Sequence, residues 1–195
     1  GIDIKAALTA TERANLHTYG YGVKAFGLSM VEAAITISQG QVPTEVLAHL
    51  IQLTRDLLLA PVRLLDGVPE VLQELAKSHR LVLITKGDLV HQTRKVTTSG
   101  LDHLFDHVEI VLEKDVATYA KVFRDISVQP EKVCMVGNSV KSDILPILEL
   151  GGHAVHIPYH FLWELEQAEH PPTSPRFGEL TNINELPAWI HQLSI

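Results

Sequence analysis

The chain has a single cysteine, Cys134, in 195 residues, which excludes an internal disulfide and fits a reducing cytoplasm. It has no run of 18 uncharged apolar residues. The longest candidate, from Leu57 to Leu65, is short and broken by Pro61 and Arg63, so no membrane span is expected. No basic segment followed by an apolar one opens the sequence, so no secretory signal is expected either. Basic residues are in the minority: 16 Lys+Arg against 23 Asp+Glu give a formal charge of −7, which argues against a nucleic-acid binder. What is plentiful is apolar residue. With 46% apolar and 20% charged residues the composition is that of a globular protein, not a disordered one. A chain of this length buries roughly 70% of its unfolded surface, enough for one core and an appendage. There is no internal repeat.

Two halves read differently. Up to about Pro61 the patterning is helical only. One helix is expected from about Ile4 to His17, then a glycine-punctuated loop from Tyr19 to Gly27. A second helix is expected from an N-cap at Ser29 to Gln39, and a third from Pro43-Thr44 to Pro61. From about Val62 strands and helices alternate. Expected strands are Leu81–Thr85, Val108–Leu112, Val133–Gly137 and Ala154–Ile157, the first read as buried on both faces. The helices between them follow Pro69, open at Asp88 and Asp115, and run from Lys141 to Leu150. A short strand at Phe177–Leu180 and a last helix at Asn184–Leu193 complete the reading, after an exposed loop at His170–Pro175. This alternation predicts an α/β fold with a parallel, Rossmann-like sheet. The expected division is a helical unit over residues 1–61 and an α/β core over 62–195.

Open parallel sheets bind ligands at the carboxyl ends of their strands. Those ends carry Thr85-Lys86-Gly87-Asp88, Glu113-Lys114-Asp115 and Gly137-Asn138-Ser139 with Asp143 beyond. A strand-end hydroxyl and free amides suit phosphate oxygens. A lysine neutralises phosphoryl charge. A carboxylate and an amide oxygen are hard ligands for magnesium. The blander readings are specific too: Asp88 as an N-cap, Ser139 as a turn residue, Cys134 as an inert core thiol, and Trp163 and Trp189 as packing residues. His153, His156 and His160 follow no zinc pattern and read as structural.

The ordered set Thr85-Lys86-Gly87, Lys114, and Val136-Gly-Asn-Ser-Val-Lys-Ser-Asp143 resembles the haloacid dehalogenase-like hydrolases. Flanking segments agree, among them Asp66-Gly-Val-Pro-Glu-Val-Leu72 and Asp143-Ile-Leu-Pro-Ile-Leu-Glu-Leu-Gly-Gly152, so the likeness spans about Val62 to Tyr159. The helical first third is similar to the cap that many members carry. The resemblance implies that Thr85 bonds the transferring phosphoryl group, with Lys86 and Gly87 beside it. It implies that Lys114 bridges nucleophile and phosphate, and that Asn138 and Asp143 hold magnesium. It further implies a magnesium-dependent phosphatase of small phosphate esters.

The sequence departs from that family twice. The first acidic position of the metal motif is Asn138, which brings an oxygen but no charge. The strand ending in Asp-x-Asp, whose first aspartate is the family's nucleophile, is absent: Asp3, Asp56 and Asp66 all stand in the wrong context. The expectation is a longer chain with such a strand upstream of Gly1, and no family-type hydrolysis by these 195 residues alone. The alternatives are a 2-haloacid dehalogenase of the same fold, or a non-catalytic binding or scaffold member.

Overall fold

The computed structural model describes residues 3–159 and 172–193. His160, Trp163, His170 and Pro171, which the sequence reading touched, lie outside the described residues. The chain divides into two compact units, Gly1–Arg63 with Thr85–Gly100, and Leu64–Ile84 with Leu101–Ile195.

The first unit is helical: α1 (Ile4–Tyr19), α2 (Val23–Ile37), α3 (Thr44–Leu59) and the later helix α5 (Leu89–Thr98). Asp3 caps α1, its carboxylate accepting from the Ala6 amide at 3.0 Å. A polar cluster joins α1 to α2. The Asn15 amide donates to Ser29 Oγ and to Glu32 Oε2, and the Tyr19 hydroxyl donates to Glu32 Oε1 at 2.7 Å. The second helix starts six residues before the expected N-cap. Ser29 lies inside it, 1% exposed, and the loop shrinks to Gly20–Gly22. Gly27 is helical for a packing reason. A methyl there would overlap Thr54 Oγ1 and sit 2.5 Å from its Cγ2, so a bare backbone lets α2 and α3 approach.

The second unit alternates α4 (Val68–Leu75), β1 (Val82–Lys86, whose last two residues belong to the first unit), β2 (His107–Val111), α6 (Val116–Asp125), β3 (Cys134–Gly137), α7 (Leu145–Glu149), β4 (His153–His156), β5 (Phe177–Glu179) and α8 (Leu186–Ile190). Strands β3, β4 and β5 form one parallel sheet in that order, with Gly137 opposite His156 and His156 opposite Glu179. Strands β1 and β2 form a second, two-stranded sheet. Ala154 and Val155, adjacent on β4, point to opposite faces and are both fully buried. Ala154 belongs to a buried cluster with Tyr119, Phe123, Ile144 and Ile147, while Val155 belongs to a second one with Val71, Leu75, Leu180, Leu186 and Ile190. The fold is therefore a layered α/β structure with helices on both sheet faces.

Strand β1 differs from its expected burial. Only Ile84 is buried; the other four residues are half-exposed. The four residues of β3 are largely but not fully buried. Both strands have a ladder partner on one side only among the described residues. The expected helix from Lys141 to Leu150 also divides, into a π-helical turn at Val140–Ile144 and the short α7. Pro146 lacks the amide hydrogen a continuous α-helix would use there.

Cys134 sits within β3 against the α4–α8 side, and burial pushes its thiol up to about 12. At pH 8 the thiolate is then well under about one in a thousand. Alkylation by iodoacetamide at pH 8 should be far slower in the folded protein than in urea. Equal rates in both would contradict this burial.

Candidate active site

The end of β3 leads into Asn138 and Ser139, and Ser139 caps the π-helical turn, its Oγ accepting from the Ser142 amide at 3.1 Å. That turn delivers Asp143 back toward the strand end. Asp143 is 3% exposed and uses both oxygens: Oδ1 accepts from Lys114 Nζ at 2.6 Å, and Oδ2 accepts from the Ser139 amide at 3.0 Å. Lys114 follows β2, and its side chain is 14% exposed. Asp115 beside it caps α6 through the Thr118 amide, which with that residue's hydroxyl holds the Asp115 carboxyl below its usual range. Lys114 and Asp143 are thus brought into contact within one unit, and Asn138 lies beside them in sequence, between Gly137 and Ser139.

Three residues support this pair, and the sequence reading gives two of them, Tyr119 and Gly137, no such role. The Tyr119 hydroxyl, fully buried on α6, donates to the Ser142 carbonyl at 3.0 Å and ties that helix to the π-helical turn. A methyl on Gly137 would overlap Asp143 Cγ and Oδ2, so this position admits only glycine while Asp143 keeps its place. His156 brackets the same strand end. Its Nδ1 meets Glu179 at 2.9 Å and its Nε2 meets the Asn138 carbonyl at 3.2 Å. A carbonyl only accepts, so Nε2 carries a proton. The structural reading of His156 therefore holds. Only Gly137 left a sequence signal, as the strand-end glycine of Val136-Gly-Asn-Ser139.

Thr85, Lys86 and Gly87 belong to the other unit, where they close β1 and precede α5. Gly87 takes φ +142, and a methyl there would press on Gln92, whose amide donates to the Lys86 carbonyl at 3.2 Å. Asp88 is the N-cap of α5, accepting from the His91 amide at 2.9 Å. Two of the other aspartates considered have ordinary surroundings: Asp3 caps α1, and Asp56 accepts from Gln52 within α3.

Magnesium fits these residues in part. Asp143 supplies one hard carboxylate with lone pairs beyond its two accepted bonds, and Asn138 supplies an amide oxygen. Among the described residues no cluster of three or more His, Cys, Asp and Glu can hold a metal. The Lys114 charge cancels that of Asp143, so a bound cation draws further negative charge from phosphate or from another carboxylate. Magnesium commonly binds in this way, through one or two carboxylates and substrate phosphates.

The largely buried lysine–aspartate pair joins the segment that follows β2 to the turn that follows β3, at the strand ends where open α/β folds place their ligands. The family model "haloacid dehalogenase-like hydrolase" matches residues 4–151, and the chain belongs to that hydrolase family. A haloacid dehalogenase-like hydrolase from Xanthomonas campestris is 36% identical with a TM-score of 0.88, over 97% of this chain and 76% of that one. The glyceraldehyde 3-phosphate phosphatase of Methanothermobacter thermautotrophicus is 28% identical over 116 residues, 57% of this chain and 50% of that protein. The N-acylneuraminate-9-phosphatase of Mus musculus is 29% identical over 137 residues, 67% and 53% respectively. The chain spans about half the length of the curated relatives it matches. Among the described residues no helix is long and apolar enough to cross a membrane.

Proposed function

We propose that the complete protein is a magnesium-dependent phosphatase of a small phosphorylated metabolite, working in the cytoplasm through an aspartyl-phosphate. The observation that carries this reading is the buried Lys114–Asp143 pair, 2.6 Å apart, at the end of β3. In this reading residues 62–195 are the catalytic core and residues 1–61 its cap. The Thr85 hydroxyl and the Gly87 amide hold two phosphoryl oxygens, and Lys86 adds positive charge. Lys114 screens the repulsion between that dianion and an anionic nucleophile. Asn138 and Asp143 hold the magnesium ion, which supplies further charge neutralisation when bound.

The nucleophile in this reading is the aspartate of an Asp-x-Asp strand end, a motif that this sequence does not contain. Among the described residues β1 and β3 each have a ladder partner on one side only, which leaves both strand edges available for further pairing in this reading. The aspartate oxygen attacks phosphorus, the ester oxygen leaves and takes a proton from a general acid, and water then cleaves the aspartyl-phosphate to inorganic phosphate.

The test is turnover of an aryl phosphate by the full-length protein with and without magnesium. Turnover should require the metal, and Asn138→Asp should lower the magnesium concentration for half-maximal rate by adding a charged ligand. Unchanged turnover in excess chelator overturns the reading. Halide release from a 2-haloacid under that condition would replace it with the dehalogenase chemistry that the neutral Asn138 also permits.

A further inference from the structure

The turn after Thr85 is held from the side by the loop between α1 and α2. Tyr21 places its ring under Lys86, whose Nζ lies 3.6 Å from the ring centroid. The next residue, Gly22, takes φ +120, and a methyl there would lie 3.2 Å from the Asp88 amide nitrogen, so backbone meets backbone at that point. Lys24, in the first turn of α2, then pairs with Asp88 Oδ2 at 3.0 Å. The other Asp88 oxygen caps α5 through the His91 amide. Three contacts from the four-residue stretch Tyr21–Lys24 thus fall on Lys86 and Asp88, the residues flanking Gly87. All of them lie within one compact unit.

We propose that Tyr21 and Lys24 are positioning residues: they form a latch that fixes the Thr85–Asp88 turn in the conformation that presents the Thr85 hydroxyl and the Gly87 amide to an anion. The proposal rests on the phosphatase reading only for the identity of that anion. Its logic is conformational. Gly87 has no side chain to hold its φ of +142, and a glycine turn samples many backbone conformations. The Gln92 bond to the Lys86 carbonyl steadies the turn from α5, and the latch steadies it from α2. The ring under Lys86 also fixes where that ammonium sits, which a solvated lysine side chain would not do. Burial raises the Asp88 carboxyl most, but the His91 amide and Lys24 outweigh it and keep the group below its usual range, as an ion pair requires.

The experiment uses the full-length protein and two readouts. The first, independent of catalysis, is amide hydrogen exchange at Lys86–Asp88 and in the first turn of α5. Tyr21→Leu and Lys24→Met should each speed exchange there by about tenfold, while exchange in β4 stays as in the wild type. Tyr21→Phe, which keeps a ring under Lys86, should restore the protection. The second readout is steady-state turnover of the aryl phosphate. The Leu and Met variants should lose about tenfold in kcat/KM, and the double variant should lose less than the product of the two, because both act on one turn. Lys24 is half-exposed, so its variant folds even if Tyr21→Leu does not. Wild-type exchange at Lys86–Asp88 in Lys24→Met, or faster exchange spread over β4 as well, overturns the latch. Altered exchange in a protein without phosphatase activity would keep the latch and discard only the anion assigned to it.

Discussion

Asp143→Ala should destabilise the protein by about 3 kcal/mol, the lower end of what removing one partner of a buried ion pair costs. The lower end applies because the Lys114 side chain keeps 14% of its surface. The variant strands that largely buried ammonium and leaves the Ser139 amide without its acceptor. In a domain of this size the loss corresponds to roughly 6–12 °C in Tm. The informative comparison is the double variant. Lys114→Met with Asp143→Ala removes the stranded charge and should recover about 1 kcal/mol or more of the single-variant loss. Urea denaturation of the four proteins measures both quantities, provided the slopes agree. If Asp143→Ala unfolds at the wild-type midpoint, the pair contributes no net stability and the geometry at the end of β3 is held by other contacts.

That pair was legible in the sequence only in outline. Strand ends are visible as short apolar runs, and Lys114 and Asp143 stand just past two of them. What brings them into contact is the π-helical turn over Val140–Ile144, whose extra residue per turn changes which side chain points back at the strand. Apolar periodicity is read at 3.6 residues per turn and has no view of such an insertion, so a continuous helix from Lys141 was the natural expectation. The caps were more legible. Asp88 and Asp115 each bond the amide three residues on, a short-range interaction that sequence spacing encodes fully.

The helical unit was misread for a related reason. Three glycines from Gly20 to Gly27 suggested one long loop, yet only Gly20 and Gly22 take positive φ there. Gly27 is a helix residue whose missing side chain makes room for Thr54, 27 residues away, and Ser29 bonds Asn15 on another helix. Composition records that a glycine is present. It does not record whether the backbone needs freedom or a neighbour needs space. The same ambiguity separates the latch from a simple connector, because Tyr21 and Lys24 acquire their partners only when the chain returns at Lys86 and Asp88.

Gly137→Ala should be the most damaging single-methyl change in the candidate site. The added carbon overlaps Asp143 Cγ and Oδ2 and falls 2.5 Å from Asp143 Cβ. Neither side can give way cheaply. Gly137 is fixed by its ladder with His156, and Asp143 is fixed by Lys114, by the Ser139 amide and by the π-helical turn that Tyr119 secures. Overpacking of this kind costs about 1–3 kcal/mol. Displacing the carboxylate by even an ångström should lower kcat/KM of the full-length enzyme by about a hundredfold, the scale expected for misplaced catalytic groups. The proper control is Gly100→Ala. Gly100 has φ +73 and nothing within 4 Å of an added methyl, so that change reports backbone strain alone, about 1–2 kcal/mol, with no reason to alter turnover. Gly137 lies outside the positive-φ region, so its variant reports the collision alone. Comparable stability losses with activity lost only in Gly137→Ala would locate the damage at Asp143. Equal turnover in both variants would mean that the position of Asp143 does not govern the reaction.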